Sequence, residues 1–339
     1  MFNELKSYPT INYIGNKEKI ADWIISEMPI ESGVVLDLFC GGCSVSYTLK
    51  KHGYNVIAND ILYANYVIAK AIIENNSTVL TDKIFDKKVS DVRVQQLEKE
   101  LFFLSNNLYF DYEIKELAYL VALSETLRGY EKYMFLALLR RAMIRKIPYS
   151  RMNVKWGEIQ KLRDEEYSYS KYKRRRAYHN LSFKKHILDN LEEYNNSVFS
   201  SNECKVYNLD AFKMIKKINM VDVVYIDPPY PSTMNNYDAF YGAYDDVFSK
   251  RKTHVDFTNK NNFLDILNKI IVSLKGKTQY VVISLNSKVK PAPDDIIHVL
   301  GCHGKVLLKE KNHNYQVTGK ENKAVGKELL LILSLKQDI

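Results

Sequence analysis

Cysteine, glycine and proline are all scarce in this chain, and each scarcity excludes a class of protein. Four cysteines among 339 residues are too few for a disulfide framework. Thirteen glycines and eight prolines exclude collagen-like repeats and long flexible linkers. Since an average domain has about 100–200 residues, the length predicts one large domain or two closely associated ones.

Long apolar runs are also missing. The longest apolar segment, Glu328–Leu335, has the size of a strand, whereas a helix needs about 20 residues to span a bilayer. The first ten residues lack the apolar core of a signal peptide. We therefore expect a cytoplasmic protein that does not associate with a membrane.

Two of the cysteines form the pattern Cys40-Gly41-Gly42-Cys43, which occurs in zinc and redox sites. A second close cysteine pair, which a structural zinc site would need, does not follow. The position between an apolar strand and a helix explains the pair better, so no metal is expected.

Basic residues are in excess and are concentrated in one segment. The chain has a net charge of +9, and residues 140–176 contain 13 basic and four acidic residues, which is the same excess. A segment with charge of one sign suggests a polyanionic partner, most simply nucleic acid. The alternative is a basic surface that only contacts solvent.

The order of apolar patterns predicts an α/β fold. Strand-like runs at Val34–Phe39 and Tyr54–Asp60 alternate with helical patterns at residues 17–28, 44–52 and 63–75. Continuous apolar runs are typical of parallel strands that are buried on both faces. This order is the beginning of a doubly wound, Rossmann-like sheet.

A mainly helical segment interrupts this alternation from about Asn76 to Ile147 and is followed by the basic stretch. Strands resume with runs that end at Asp210 and Asp227, and the last strands suggest an antiparallel edge. We therefore predict a domain of residues 1–75 and 181–339 that contains the sheet, and an inserted, mainly helical subdomain of residues 76–180.

Four aspartates stand at the ends of predicted strands: Asp37, Asp60, Asp210 and Asp227. Ligands of open α/β sheets bind beyond the carboxyl ends of the strands. Asp60 comes at the end of the second strand, where an acid can bind ribose hydroxyls. A cofactor that contains a nucleoside is therefore predicted, and on this evidence alone NAD is one candidate.

The segment Asp227-Pro228-Pro229-Tyr230 favours a different chemistry. Two prolines fix the backbone and so direct the Asp227 carboxylate and the Pro228 carbonyl, which are both hydrogen-bond acceptors. The ring of Tyr230 can stack on a planar base. Together they fit an aromatic amino group.

These motifs resemble those of the N(6)-adenine DNA methyltransferases of the alpha order, the group that includes Dam and many restriction-modification methylases. Asp227–Tyr230 corresponds to the D-P-P-Y motif of that family, and Asp37–Cys43 to its D-x-F-x-G-x-G motif. Cys43 replaces the last glycine. Tyr13–Lys17 corresponds to the aromatic-x-G-x-K motif, and the motif order agrees over essentially the whole chain.

The resemblance implies S-adenosylmethionine as the methyl donor. It implies that Asp37 binds the methionine ammonium, Asp60 the ribose, and Asp210 the amino group of the cofactor's adenine. The implied cofactor-binding residues are Tyr13, Lys17, Asp37, Phe39, Gly41, Asp60 and Asp210. A surface position at the start of a helix is the alternative for Tyr13 and Lys17.

The resemblance also implies catalytic roles for Asp227, Pro228, Pro229 and Tyr230, which would hold an adenine that has left the duplex. Double-stranded DNA is the implied partner, with a cognate restriction endonuclease as a second one. The implied DNA-binding residues are Arg140, Arg141, Arg145, Lys146, Arg151 and Lys155. The polar, tyrosine-rich residues 231–248 suggest a loop that closes over the base, and a simple surface loop is the alternative.

Two other functions stay open from the sequence. One is methylation of an amino group in RNA, and the other is a DNA-binding protein without catalytic activity on the same fold. The order of motifs favours DNA, and an intact Asp227–Tyr230 segment favours catalysis. A dehydrogenase is disfavoured because the dinucleotide-binding glycine pattern is incomplete.

Overall fold

The structure is a computed structural model that describes residues 6–231, 236–313 and 326–336. The chain divides into two compact units of three segments each. The helical unit comprises Met1–Ile14, Leu62–Ser200 and Asp238–Arg251, and the sheet unit comprises Gly15–Ile61, Ser201–Tyr237 and Lys252–Ile339. These boundaries differ from the predicted ones, because residues 1–14, 62–75, 181–200 and 238–251, which were all predicted to lie in the domain that contains the sheet, belong to the helical unit.

A seven-stranded sheet forms the centre of the sheet unit, with the strand order β3-β2-β1-β4-β5-β7-β6. The strands are β1 (Val34–Asp37), β2 (Asn55–Asn59), β3 (Cys204–Tyr207), β4 (Val223–Ile226), β5 (Tyr280–Asn286), β6 (Gly304–His313) and β7 (Gly326–Leu335). Strands β1 to β5 are parallel, and β7 pairs antiparallel with β5 and β6. The predicted α/β class and its antiparallel edge are confirmed.

The α-helices of the described residues are distributed between the two units. They are α1 (Ala21–Ser26), α2 (Ser44–Lys51), α3 (Tyr63–Ala69), α4 (Asp91–Glu100), α5 (Asp111–Thr126), α6 (Gly129–Arg145), α7 (Trp156–Arg163), α8 (Glu165–Tyr172), α9 (Phe183–Asn196), α10 (Ala211–Lys217), α11 (Tyr237–Val247), α12 (Phe263–Leu274) and α13 (Pro293–Gly301). None of these helices has both the length and the apolar character needed to cross a bilayer.

Apolar spacing explains how the sheet unit packs. Buried residues of α12 recur at intervals of three and four, as in Phe263, Ile266, Leu267 and Ile270, which gives the helix one apolar face. A cluster of buried side chains joins this face, α10 and α13 to strands β1, β4, β5 and β7. Strand β4 is buried along its whole length, so Asp227 directly follows a strand of the core.

The helical unit is built around α6, in which every residue from Met134 to Ile144 is buried. A helix that is buried on all sides lies inside its unit. Helices α3, α5 and α9 pack against it. The two arginines within this buried run, Arg140 and Arg141, are therefore interior residues.

Helix α11 replaces most of the loop predicted for residues 231–248. Its Tyr241 and Tyr244 are fully buried, so the expected loop over a base is wrong for this part, while residues 232–235 lie outside the described residues. The Asp245 carboxylate accepts the N–H groups of Tyr63 and Ala64, each at 2.8 Å, at the start of α3. Helix α11 is thus an internal part of the helical unit.

Candidate active site

The parallel strands bring three of the predicted aspartates to the same edge of the sheet. Asp37 is the last residue of β1, Asp60 follows β2, and Asp227 follows β4. Because β2, β1 and β4 are neighbours, these residues end adjacent strands. Asp210 lies further along the chain from β3, and its carboxylate caps α10 by accepting the Phe212 N–H at 3.0 Å.

The turn after β1 is held to the end of β2 by two hydrogen bonds. The Gly41 N–H donates to Asp60 Oδ2 at 2.9 Å, and the Cys40 N–H donates to the Asn59 carbonyl at 2.9 Å. Gly41 has a φ of 50° and Cys43 a φ of 68°, both in the left-handed region. Glycine is the usual residue in the left-handed region, which accounts for the glycine that the family motif has at the position of Cys43.

The cysteine pair lies in this turn, with its two sulfur atoms 3.7 Å apart and both side chains buried. The contact with the Cys43 sulfur, followed by burial, raises the pKa of the Cys40 thiol. In the part of the chain that the structure describes, no cluster of three His, Cys, Asp or Glu side chains could hold a metal ion.

Asp37 is a buried carboxylate with one acceptor atom available. Ser46 donates a hydrogen bond to Oδ2 at 2.6 Å, and Oδ1 has no partner among the described residues. Burial raises the pKa of Asp37 to about 7. An unpaired buried oxygen of this kind fits an ammonium group, whose charge would stabilise the ionised carboxylate. The side chain therefore suits the cofactor role that the sequence predicts.

Aromatic and polar groups complete this part of the sheet unit. Phe39 makes an edge-to-face contact with Phe257, with ring centroids 5.1 Å apart. Asn208 donates from its amide to the carbonyls of Asp60 and Ile61, both at 2.8 Å, and so fixes the chain after β2. The arrangement offers an apolar wall beside acceptors, as a nucleoside-containing ligand requires.

Lys17 forms an ion pair with the aspartate of the D-P-P-Y segment. Its Nζ atom donates to Asp227 Oδ2 at 2.7 Å, and the lysine is 3% exposed. Burial raises the pKa of Asp227, and the charge and hydrogen bond of Lys17, together with Tyr230, oppose this change. Burial alone would lower the pKa of Lys17, but the negative charge of Asp227, together with that of Glu328, outweighs burial and raises that pKa.

The sequence prediction missed Glu328 and Ser284. Glu328, on β7, is fully buried, and its Oε1 atom lies 3.8 Å from Lys17 Nζ and accepts a hydrogen bond from the Ser284 hydroxyl on β5. Burial raises the pKa of Glu328 to about 7. A charged residue in the otherwise apolar segment Glu328–Leu333 was the signal that could have identified it.

Tyr13, another predicted cofactor residue, lies in the helical unit. Its ring stacks on Tyr241 with centroids 5.1 Å apart, and the Ile14 N–H donates to the Tyr241 hydroxyl at 2.8 Å. The Arg140 guanidinium lies over the same ring, 5.0 Å from its centroid. Tyr13 is therefore part of a stack of side chains from the N-terminal segment, α11 and α6.

Three of the predicted DNA-binding residues are buried, which contradicts a direct contact with DNA. Arg140 donates to the Ile11 carbonyl at 3.1 Å, and Arg141 donates to Asn190 at 2.7 Å. Lys146 forms an ion pair with the buried carboxylate of Glu113 at 2.8 Å. Groups with these partners are not available to phosphates, so the three residues stabilise the helical unit instead.

The other basic residues are more accessible. Lys155 is exposed, and Arg145 and Arg151 are half-buried beside aromatic rings. In the run at residues 171–176, Lys171, Lys173, Arg174 and Arg175 are exposed. Tyr169, which is 48% exposed, lies within 6 Å of both Lys173 and Arg175. This run is an accessible basic surface that also contains aromatic rings.

A family model and several curated relatives match most of the chain. Residues 13–287 match the model of the D12 class N6 adenine-specific DNA methyltransferases. The Type II methyltransferase M2.HphI of Haemophilus parahaemolyticus is 43% identical over 96% of this chain and 98% of that protein. M.NlaIII of Neisseria lactamica is 22% identical over 92% and 95% of the two chains. M.FokI of Planomicrobium okeanokoites is 25% identical over 94% of this chain, which spans half of that protein.

Proposed function

We propose that this chain, which belongs to the D12 class N6 adenine-specific DNA methyltransferase family, uses S-adenosylmethionine to methylate an adenine that is rotated out of duplex DNA. The observation that best supports this proposal is the pairing of β1 with β4. It puts the motif that begins at Asp37 and the motif that begins at Asp227 at the ends of adjacent parallel strands.

Asp37, Phe39, Gly41, Asp60 and Asp210 would hold the cofactor. The unpaired Oδ1 of Asp37 would accept hydrogen bonds from the ammonium group, and Phe39 would provide apolar contact. Asp60 would bind the ribose while it keeps the Gly41 turn in place. When bound, S-adenosylmethionine supplies an electrophilic methyl group on a sulfonium, so the protein does not need to activate the donor.

Asp227 and the Pro228 carbonyl would accept the two N–H groups of the target amine. These hydrogen bonds keep electron density on a nitrogen that is otherwise conjugated with the ring, and they orient it for attack. Pro228 and Pro229 would restrict the backbone so that both acceptors keep their directions. Tyr230 would stack on the base, which offsets part of the few kcal/mol that unstacking costs.

Contacts with DNA phosphates would come from the accessible basic residues of the helical unit. We assign this role to Lys155, Arg145, Arg151 and the run at residues 171–176, of which Lys155 and four residues of the run are exposed. Lysine and arginine on such surfaces bind the backbone, and arginine can also read guanine in the major groove. The helical unit would thus carry target recognition.

A cognate restriction endonuclease that acts on the same DNA site is the proposed biological partner, because the matched relatives M2.HphI and M.FokI are named Type II methyltransferases. Sequencing of DNA from an expressing host with detection of methylated adenine would give the recognised site. Resistance of this DNA to an endonuclease specific for the same site would support the partnership, and full sensitivity would contradict it.

The variant Asp227→Asn tests the catalytic assignment. It removes the charge but keeps the size of the side chain, and loss of one such electrostatic partner typically lowers the rate about 100–1,000-fold. Transfer of a labelled methyl group to DNA should fall by this factor, while the affinity for S-adenosylmethionine stays unchanged.

Asp265→Asn is the matched control, because Asp265 is an exposed aspartate of the sheet unit that forms an ion pair with Lys269 on the same helix. It should methylate DNA at the normal rate. Normal turnover by Asp227→Asn would contradict the catalytic role assigned to Asp227.

Tyr230→Phe should keep partial activity and Tyr230→Ala should lose most of it, since only the first variant retains a ring.

A further inference from the structure

We propose that Glu328 is a positioning residue that acts through Lys17 and gives the active site its net negative charge during methyl transfer. This inference rests on the proposed function of Asp227. Lys17 Nζ lies between the two carboxylates, 2.7 Å from Asp227 Oδ2 and 3.8 Å from Glu328 Oε1. Glu328 is therefore a second partner for the lysine and does not take the place of Asp227.

The position of Glu328 is fixed by the sheet. Strands β5 and β7 pair antiparallel with Asn286 opposite Glu328 and Ser284 opposite Leu330. Ser284 and Glu328 therefore project from the same face, and the serine hydroxyl donates to Glu328 Oε1. This hydrogen bond directs the carboxylate and leaves it close to Lys17.

Charge counting shows what the second carboxylate contributes. Lys17 and Asp227 alone form a neutral pair, which would attract a cationic nitrogen only weakly. With Glu328 ionised, the three side chains carry one net negative charge. Methyl transfer moves positive charge from the sulfonium to the amino nitrogen beside Asp227, and a nearby negative charge stabilises that product-like state.

Packing does not require a carboxylate at this position. The neighbouring residues Leu329, Leu330, Leu331 and Leu333 are buried apolar side chains of the same strand. Glu328 Oε2 has no hydrogen-bond partner among the residues that the structure describes, although the atom is buried. A buried ionic group often stabilises a fold less than an apolar residue would, so the energetic cost here points to a function.

The surroundings of Glu328 predict how its charge depends on pH. Among the residues that the structure describes, Lys17, Asp227 and Tyr230 are the ionisable groups that interact with it. Lys311 is its register partner on β6 and lies over the ring of Trp23. Burial raises the pKa of Glu328 to about 7, and Lys17 and Ser284 limit the increase. The active, ionised form is therefore lost as the pH falls through about 7.

The variant Glu328→Gln tests this role, because it keeps the shape of the side chain and its contact with Ser284 but removes the charge. The kcat for adenine methylation should be measured from about pH 5 to about pH 9 with saturating S-adenosylmethionine, which separates Glu328 from the cofactor-binding Asp37. We expect kcat to fall about 10–100-fold, which is the usual size of the effect when a residue that supports a functional group is replaced. The decline of kcat below neutral pH should disappear.

Two comparisons make the test specific. Glu310→Gln changes an exposed glutamate on the neighbouring strand β6, which pairs with Lys327, and should leave the pH profile of kcat unchanged. Glu328→Asp keeps the charge and should retain both part of the rate and the decline at low pH. Affinity for S-adenosylmethionine should be normal in all three variants.

Ser284→Ala provides a second test that does not depend on the folding of Glu328→Gln. Loss of the hydroxyl donor should raise the pKa of Glu328 further, so that the decline of kcat begins at higher pH. An unchanged profile in Ser284→Ala, or wild-type kcat in Glu328→Gln, would overturn the proposal. A wild-type protein that does not methylate adenine would instead overturn the proposed function itself.

Discussion

Asp60 holds the turn after β1 through its hydrogen bond with the Gly41 N–H, and this turn belongs to the proposed cofactor site. Asp60→Ala should therefore weaken the binding of S-adenosylmethionine by about 1–3 kcal/mol, the usual cost of leaving a buried donor unpaired. Isothermal calorimetry measures the change, and the exposed Asp22→Ala is the control. Unchanged affinity in Asp60→Ala would exclude Asp60 from the cofactor site.

Cys43 is the residue at which this sequence departs from the family motif, and its backbone is left-handed with a φ of 68°. A side chain in this conformation costs about 1–3 kcal/mol. Cys43→Gly should remove this strain but also lose a buried side chain and add freedom to the unfolded chain. We expect the free energy of unfolding to change by less than about 1 kcal/mol.

Cys43→Val separates strain from packing. It keeps a buried apolar side chain, but its branched Cβ atom makes the left-handed conformation worse, so we expect a loss of more than about 2 kcal/mol. Urea denaturation of both variants provides the comparison. A Val variant as stable as the Gly variant would show that the backbone at position 43 is not strained.

The sequence predicted the positions of single residues well where those residues end a strand or directly follow one. Asp37, Asp60 and Asp227 could be placed at one edge because parallel strands end together. The ion pair between Lys17 and Asp227 could not be predicted, because 210 positions separate the two residues and the strand order was unknown. Glu328 was missed for the same reason.

At the scale of the helices, a buried charge cluster connects α5 and α7 to Lys146, the residue that follows α6. Glu113 accepts hydrogen bonds from Arg163 at 2.7 and 2.8 Å and pairs with Lys146 at 2.8 Å. Glu113→Gln would leave two buried cations with a neutral partner, so we expect the free energy of unfolding to fall by about 3–5 kcal/mol. Glu125→Gln, which affects an exposed pair with Arg93, should cost at most about 1 kcal/mol.

The same cluster makes stability depend on pH. Burial alone would raise the pKa of Glu113, but the hydrogen bonds and charges of Arg163 and Lys146 outweigh it and lower the pKa. Its contribution is therefore complete above the ordinary glutamate pKa of about 4.3 and is lost as the pH falls through the lowered folded-state value. Stability curves of the wild type and Glu113→Gln should converge below about pH 4, and a constant difference would contradict the assignment.

Helix α6 shows why the basic residues were partly misassigned. Net charge along a sequence does not distinguish an arginine that pairs inside a unit from one that faces solvent. Arg140 and Arg141 interrupt a run of apolar residues, and such a run is typical of a helix that is buried on all sides. That pattern was the available signal, and it outweighs the charge of the segment.

For the whole molecule, the accessible basic run predicts how DNA binding responds to salt. The combined variant Arg174→Ala, Arg175→Ala and Arg176→Ala should reduce the slope of log affinity against log salt by about 0.9 for each phosphate that the protein no longer neutralises. Preference for the recognised site should not change, because the phosphates carry no base information. Fluorescence anisotropy with specific and unrelated duplexes measures both quantities.

Replacement of Lys83, Lys87 and Lys88 by alanine is the matched control, since it removes the same charge from exposed positions outside the basic segment. This variant should keep most of the slope. An altered methylation site in the arginine variant would assign the run to base recognition, and an equal slope in both variants would exclude it from the DNA surface.

The segmented construction of the helical unit limits how new specificity can arise by recombination. A gene fragment for residues 62–200 would carry most of that unit to a related enzyme but not Asp245, which caps α3, or Tyr241, over whose ring the Arg140 guanidinium lies. The hybrid would inherit both residues from its host. Successful exchange of target specificity therefore requires a donor whose residues 1–14 and 238–251 match those of the host. These two short segments determine which relatives can exchange their recognition units.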